Sequence, residues 1–537
     1  MIRGRAWAAA FAVALCGCGS RPASWEAASD FAATPIGLSR GAVVLDTGRD
    51  RAVVFTALAQ QALETTFLPI GHGGITAMAS PDGERLFVLT GGDAPTASGT
   101  AQPPMLTVIS IDSATFQPSE VTYPMLSPLG GLAIDPSSQW AVAYDAAFAN
   151  GDTTNTPFVQ NPNELAFFDL SKPTGTQPQS YQLTSFSGSP VRLTFTPTLS
   201  MPAGPGRLLV VEATTSDVHL VDLAHVFDNP PLPEVVIRLT SAQDSTPVTP
   251  QGLAIAPADA PGNPRMAVRT SSSDVISWVL GPPDPGNANS FQPTLNVTGV
   301  LGVPSDIAFV NTDAGLRIAA MVPSTSSVVL VDPDTSLITT VSLPSNFNHL
   351  SLVTDAVGGT NGSDVALLWG TNSTGVDLLS LGVSVDRSYD AAEYIGVGVQ
   401  VTAVDDVPAP NQTLKILETS GGTEFFVLDL INRTVSPLSA ASSATLSISP
   451  DDGARVWAFA KGTTSLASVD LLTRQSTPLT TVLPISSAFE VARAGSVGGR
   501  SLLVVSLVGT LGVSVFDAIQ PASAVTRSYA DILLEGL

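Results

Sequence analysis

Short apolar runs alternate with turn residues along most of the chain, and the same order of runs comes back many times. One copy begins Ile75-Thr76-Ala77-Met78-Ala79 and closes on Ser80-Pro81-Asp82-Gly83; another begins Leu446-Ser447-Ile448 and closes on Ser449-Pro450-Asp451-Asp452-Gly453. Looser copies are Leu132-Ala133-Ile134-Asp135-Pro136, Leu193-Thr194-Phe195-Thr196-Pro197, Leu253-Ala254-Ile255-Ala256-Pro257 and Ile307-Ala308-Phe309-Val310. A second run then opens on Arg or Trp, as in Arg85-Leu86-Phe87-Val88-Leu89, Arg207-Leu208-Leu209-Val210-Val211 and Arg455-Val456-Trp457-Ala458-Phe459. Proline fixes φ and glycine tolerates positive φ, so the Pro-Asp-Gly link predicts a tight turn and the two runs a hairpin.

A third run usually ends in aspartate: Asp112, Asp169, Asp222, Asp332, Asp429, Asp470 and Asp517. Aspartate readily accepts backbone N–H bonds from residues just after it, which predicts a turn into a fourth strand. A ring of cation-binding acids is the competing reading, but no ligand spacing links these residues.

The first runs start near 75, 132, 193, 253, 306, 350, 400, 446 and 488, a spacing of roughly 42 to 61 residues. Four short strands at such a period predict an all-β fold, a single propeller of four-stranded antiparallel blades. The runs are apolar on both faces because neighbouring blades would cover both sides of each sheet. A partial unit precedes the first full one, with strands near 42–45, 52–55 and 65–68 but no first strand. The tail 529–534 is expected to donate one and latch the ring. The count is nine units plus this shared one; eight is the alternative.

The Ser-Pro-Asp-Gly turn, the following Arg and the third run ending in Asp together resemble the YVTN-type, lactonase-like propeller repeat of bacterial surface and periplasmic proteins. The resemblance covers residues 41–537 and is sharpest near 75 and 446; the run Val275–Gly281 lacks the aspartate. It implies a propeller and leaves the activity open, because such rings host lactonases, dehydrogenases, glycosidases and pure binding modules.

The N-terminus follows a different pattern. Arg3 and Arg5 precede the apolar stretch Ala6–Leu15, which is too short to span a bilayer and fits a secretory signal. It closes on Leu15-Cys16-Gly17-Cys18, which resembles the lipobox of bacterial lipoprotein precursors. That resemblance implies a signal peptide over 1–17, acylation of Cys18, and sorting to the outer membrane because Gly19 rather than Asp follows. Residues 18–40 show no useful apolar period and read as a flexible tether, leaving 41–537 for the propeller. A membrane partner is expected only through the anchor, since the chain carries 46 acids against 23 bases and anionic lipid repels it. The same balance excludes a nucleic-acid surface.

Candidate chemistry is sparse. The four histidines, His72, His219, His225 and His349, have no metal-ligand spacing, with His72 and His349 expected in links between units. Gly37-Leu38-Ser39-Arg40-Gly41 matches G-x-S-x-G, but a nucleophile elbow needs a strand before it and a helix after it. No catalytic, cofactor-binding or metal residue is assigned; a divalent cation such as calcium has no motif to support it. The strand 2–3 links share a face with the links between blades. Two adjacent ones are long, 91–104 and 146–163, and long loops are more often functional than silent. Asp93, Asn150, Asp152, Asn155 and Phe158 are their candidate contact residues. The sequence therefore reads as an envelope-anchored propeller that binds or scaffolds a protein, glycan or peptide. The alternative is a lactonase- or lyase-type enzyme using carboxylates and an arginine at the central channel.

Overall fold

The computed structural model describes residues 35–529 apart from 58–62, 94–101, 147–160, 229–233, 282–290, 354–362, 383–391, 439–444, 493–499, 508–512, 519–526 and some shorter stretches. Cys18, Asn150, Asp152, Asn155, Phe158, the Pro450–Gly453 turn and the tail beyond 529 lie outside the described residues.

Ten four-stranded antiparallel sheets follow one another along the chain. Blades 1 to 10 span 36–69, 74–124, 131–182, 190–238, 250–299, 306–342, 349–396, 401–438, 445–480 and 485–529. Within each blade every strand pairs with the next one in sequence. Among the described residues only blade 4 inserts a small extra hairpin, Leu199–Met201 with Gly204–Gly206, between its first two strands. First strands of successive blades adjoin one another, as blades 5, 6 and 7 show, so they form the inner wall of the ring. Fourth strands such as Pro118–Pro124 are mostly exposed and form the rim.

Among the described residues the buried side chains gather into ten clusters, each shared by two neighbouring blades. Blades 4 and 5 meet through Leu208, Val210, Met266, Val268 and Trp278; blades 6 and 7 meet through Met321, Leu330, Phe347, Leu350 and Leu368. An open stack of ten blades would have nine junctions. The tenth joins blade 10 to blade 1, where Val491, Leu502, Val504 and Val515 pack on Ala42, Val44, Val53 and Phe55. A fully buried Val, Leu or Phe contributes about 1.5–3 kcal/mol relative to exposure, so each seam is a core in its own right.

Two expectations are corrected here. Ile36–Leu38, placed in the tether by the sequence reading, is blade 1's own first strand and pairs with Gly41–Val43. Arg527–Tyr529 is the fourth strand of blade 10 and pairs with Val513–Val515. Among the described residues the ring thus closes by packing and by a bond from the Ala492 N–H to the Ser39 carbonyl, with blade 1 holding a first strand of its own. Blade 1 needs no donor because three residues suffice for an innermost strand already covered by its neighbours.

Gly37 permits that closure. A Cβ there would come 2.7 Å from Cγ of Phe489 on blade 10. Gly37→Val is therefore expected to destabilise the ring by about 1–3 kcal/mol, the usual cost of overpacking; an unchanged denaturant midpoint would show that the seam lies elsewhere.

The turn chemistry matches the sequence. Gly83 has φ +69°, its N–H donates to the Ser80 carbonyl at 2.8 Å, and Asp82 accepts from the Glu84 N–H at 2.9 Å. Asp112, Asp332, Asp429 and Asp470 each accept two backbone N–H bonds from the residues two and three positions later. Asp169 and Asp222 each accept one. The fifth residue of four of these turns, Phe116, Ser336, Arg433 or Arg474, takes positive φ.

Candidate ligand face

Each blade sends its strand 1–2 and 3–4 links to one side of the ring, and its strand 2–3 links and inter-blade links to the other. The first side is spent on structure. Besides the aspartate turns it carries arginines that staple one blade to the next. The Arg85 guanidinium donates to the Ser138 carbonyl at 2.9 Å, and Arg265 pairs with Asp334 at 3.0 Å. Arg455 donates to the Ala518 carbonyl, and Arg40 pairs with Glu84. Arg207 grips Asp135 with both terminal nitrogens, one of them at 2.6 Å. Burial alone would raise the Asp135 pKa, but these bonds and those from Ser137 hold it below the usual carboxylate range. The arginine that opens the second strand is thus a staple rather than a ligand group.

On the second side, three links converge where blades 1 and 2 meet. His72 Nδ1 lies 2.9 Å from Asp50 Oδ2, and Nε2 lies 3.1 Å from Asp93 Oδ1. The hydrogen bond to Asp50 holds the imidazole pKa above its ordinary value, against the smaller effect of partial burial. The Gly91 and Gly92 N–H groups donate to the carbonyls of Gly73 and His72, and the Asp93 N–H to that of Gln102. Thus Asp93, the one described candidate of the two long links, pins the root of 91–104 to the neighbouring blade.

The inner wall of blades 4 to 6 holds a second group on the same side. Arg192, on blade 4's first strand, reaches Glu212 Oε1 and the Gln251 carbonyl, both at 3.5 Å. Arg269, at the end of blade 5's second strand, donates to the Pro304 carbonyl at 3.2 Å. Burial, reinforced by the neighbouring Arg192 and partly offset by Asp306 and Glu212, leaves the Arg269 pKa below its usual value. Burial also pushes Glu212 up, with Arg192 and Arg269 opposing it. Asp306 accepts the Leu350 N–H at 3.0 Å, tying blade 6 to blade 7. None of Arg192, Glu212, Arg269 or Asp306 stands out in sequence; the one available signal is that Arg269 sits at the opposite end of its strand from the staple Arg265.

The histidines divide. His349 opens blade 7's first strand rather than lying in a link, and stacks on Trp369 with ring centroids 5.3 Å apart. His219 is fully buried against Glu234, which also accepts the Tyr181 hydroxyl of blade 3 at 2.8 Å. His225 bonds Asp228 at 2.7 Å in a surface turn. Gly37–Gly41 forms the first hairpin of blade 1, with Ser39 Oγ donating to the Asp82 carbonyl; no helix follows it, and it is not a nucleophile elbow. Among the described residues no group of metal-binding side chains comes together.

No protein-family model and no curated protein matches the chain. Among solved structures it is similar to dihydro-heme d1 dehydrogenase NirN in complex with DHE, at 11% identity and TM-score 0.42, over 79% of this chain and 76% of that one. It is also similar to apo AztD from Citrobacter koseri, at 10% identity and TM-score 0.34, over 74% of this chain and 94% of that one.

Proposed function

We propose that the chain is a binding module of the bacterial cell envelope: acylated at Cys18, held to the outer membrane by the segment up to about residue 35, and presenting the strand 2–3 side of the ring to a protein, glycan or peptide. The observation that carries this reading is the contrast between the two sides. The staple arginines and turn aspartates of one side are engaged within the ring. The other side carries His72 between Asp50 and Asp93, the half-exposed Arg192, and the roots of both long links.

Removing 94–101 and 147–160 while keeping the Gly91–Asp93 and Gln102 root tests it. The shortened protein is expected to melt like the full chain and to lose capture of whatever peptides or glycans the full chain retains on arrays. Capture that survives the deletion would overturn the role of these links. For the anchor, the full precursor expressed in a bacterium is expected in the detergent phase and Cys18→Ser in the aqueous phase. The enzymatic reading, a lactonase or lyase, draws on Arg192, Glu212, Arg269 and Asp306. It would be favoured by lactone turnover that Arg269→Gln abolishes.

A further inference from the structure

We propose that Arg192 and Arg269 together form a binding site for an oxyanion, the carboxylate or phosphate group of a small ligand, on the inner wall of the ring over Gly252. The inference rests on reading the strand 2–3 side as the ligand face, and it names the chemistry taken there.

The two guanidinium groups come from different blades yet meet at one point. A Cβ on Gly252, in blade 5's first strand, would lie 2.8 Å from Arg269 Nε and 3.5 Å from Arg192 Nη1. Only the missing side chain of glycine lets the Arg269 guanidinium lie this close to the strand, with Arg192 beside it. Placing like charges together is unfavourable, the more so in a chain with only 23 basic residues. Several other arginines of the described residues meet a carboxylate closely: Arg51 with Asp46 at 2.9 Å, Arg265 with Asp334 at 3.0 Å, Arg207 with Asp135. This pair is held more loosely. Arg192 meets Glu212 only at 3.5 Å, and the hydrogen bond of Arg269 goes to a neutral carbonyl. Asp306 and Glu212 both attract Arg269, and Asp306 is committed in part to the Leu350 N–H. Guanidinium groups present forked N–H donors that match carboxylate and phosphate oxygens. An oxyanion over Gly252 would satisfy both forks and remove the repulsion between them.

The test is calorimetric titration of the full mature chain with inorganic phosphate and, separately, with succinate at low ionic strength. Saturable 1:1 binding of at least one probe is expected, and which probe binds separates phosphate from carboxylate recognition. Arg192→Gln and Arg269→Gln are each expected to weaken it at least tenfold. Gly252→Val, which pushes the Arg269 guanidinium away from Arg192 and keeps both charges, should do the same. All three variants should remain folded and melt cooperatively. Absence of saturable binding to either probe, or binding unchanged in the three variants, overturns the proposal. Binding that survives them but disappears when 94–101 and 147–160 are removed overturns the arginine site while leaving the ligand-face reading standing.

Discussion

Glu490→Ala is expected to lower the stability of the ring by about 3–5 kcal/mol. Glu490 lies in blade 10's first strand with 6% exposure, facing blade 9. Its Oε1 accepts the Trp457 Nε1–H at 2.6 Å and its Oε2 the Ser449 hydroxyl at 2.8 Å. Trp457 is fully buried and belongs to the core shared by blades 9 and 10. Removing the carboxylate strands two buried donors, each costing about 1–3 kcal/mol, and adds a cavity. Trp457→Phe removes one donor and its need for a partner, so it should cost less than Glu490→Ala. Denaturant midpoints of the two variants check the order; a Glu490→Ala midpoint equal to the parent's would show that these bonds carry no net stability.

Asp377→Asn is expected to stabilise the protein at neutral pH. Asp377 is fully buried in the third strand of blade 7, beside Leu368 and Tyr394 on the neighbouring strands. Neither carboxyl oxygen has a hydrogen-bond partner. Burial pushes its pKa up from 3.8 to about 6. An acid whose folded pKa is raised favours the fold while protonated. Stability is lost as pH rises from the unfolded value near 3.8 through the folded value near 6. Above that window the ionised group costs on the order of 1–3 kcal/mol. The amide cannot ionise, so the variant should gain that amount at pH 8 and match the parent near pH 4. Equal stability at pH 8, or a loss, would mean that the carboxylate is compensated in the folded protein.

The fold was largely legible because its signals are local. Pro81-Asp82-Gly83 and the aspartates ending third strands specify turns through contacts within five residues, and the same turn recurs in blade after blade. What escaped was non-local or very short. Ile36–Leu38 has three residues and no period to read, and its strand character comes from lying between Gly41–Val43 and Phe489. His349 resembles a link residue in sequence because nothing there marks where a strand starts. The arginine pair could not be seen at all, since Arg192 and Arg269 meet only through the stacking of blade 4 on blade 5. The long links were legible by length, but of their candidate residues only Asp93 lies in the described part.

The central claim is that one side of the ring is built for stability and the other for a ligand. Chemical denaturation of Arg207→Gln beside the double variant Arg192→Gln, Arg269→Gln tests it, because the same change of side chain is made on opposite sides. Arg207→Gln strands the buried Asp135 and is expected to cost ~3 kcal/mol or more. The double variant removes the repulsion between two cations along with their attraction for the buried Glu212, so it is expected to cost clearly less than Arg207→Gln. A double variant destabilised as much as Arg207→Gln would contradict the division between the two sides.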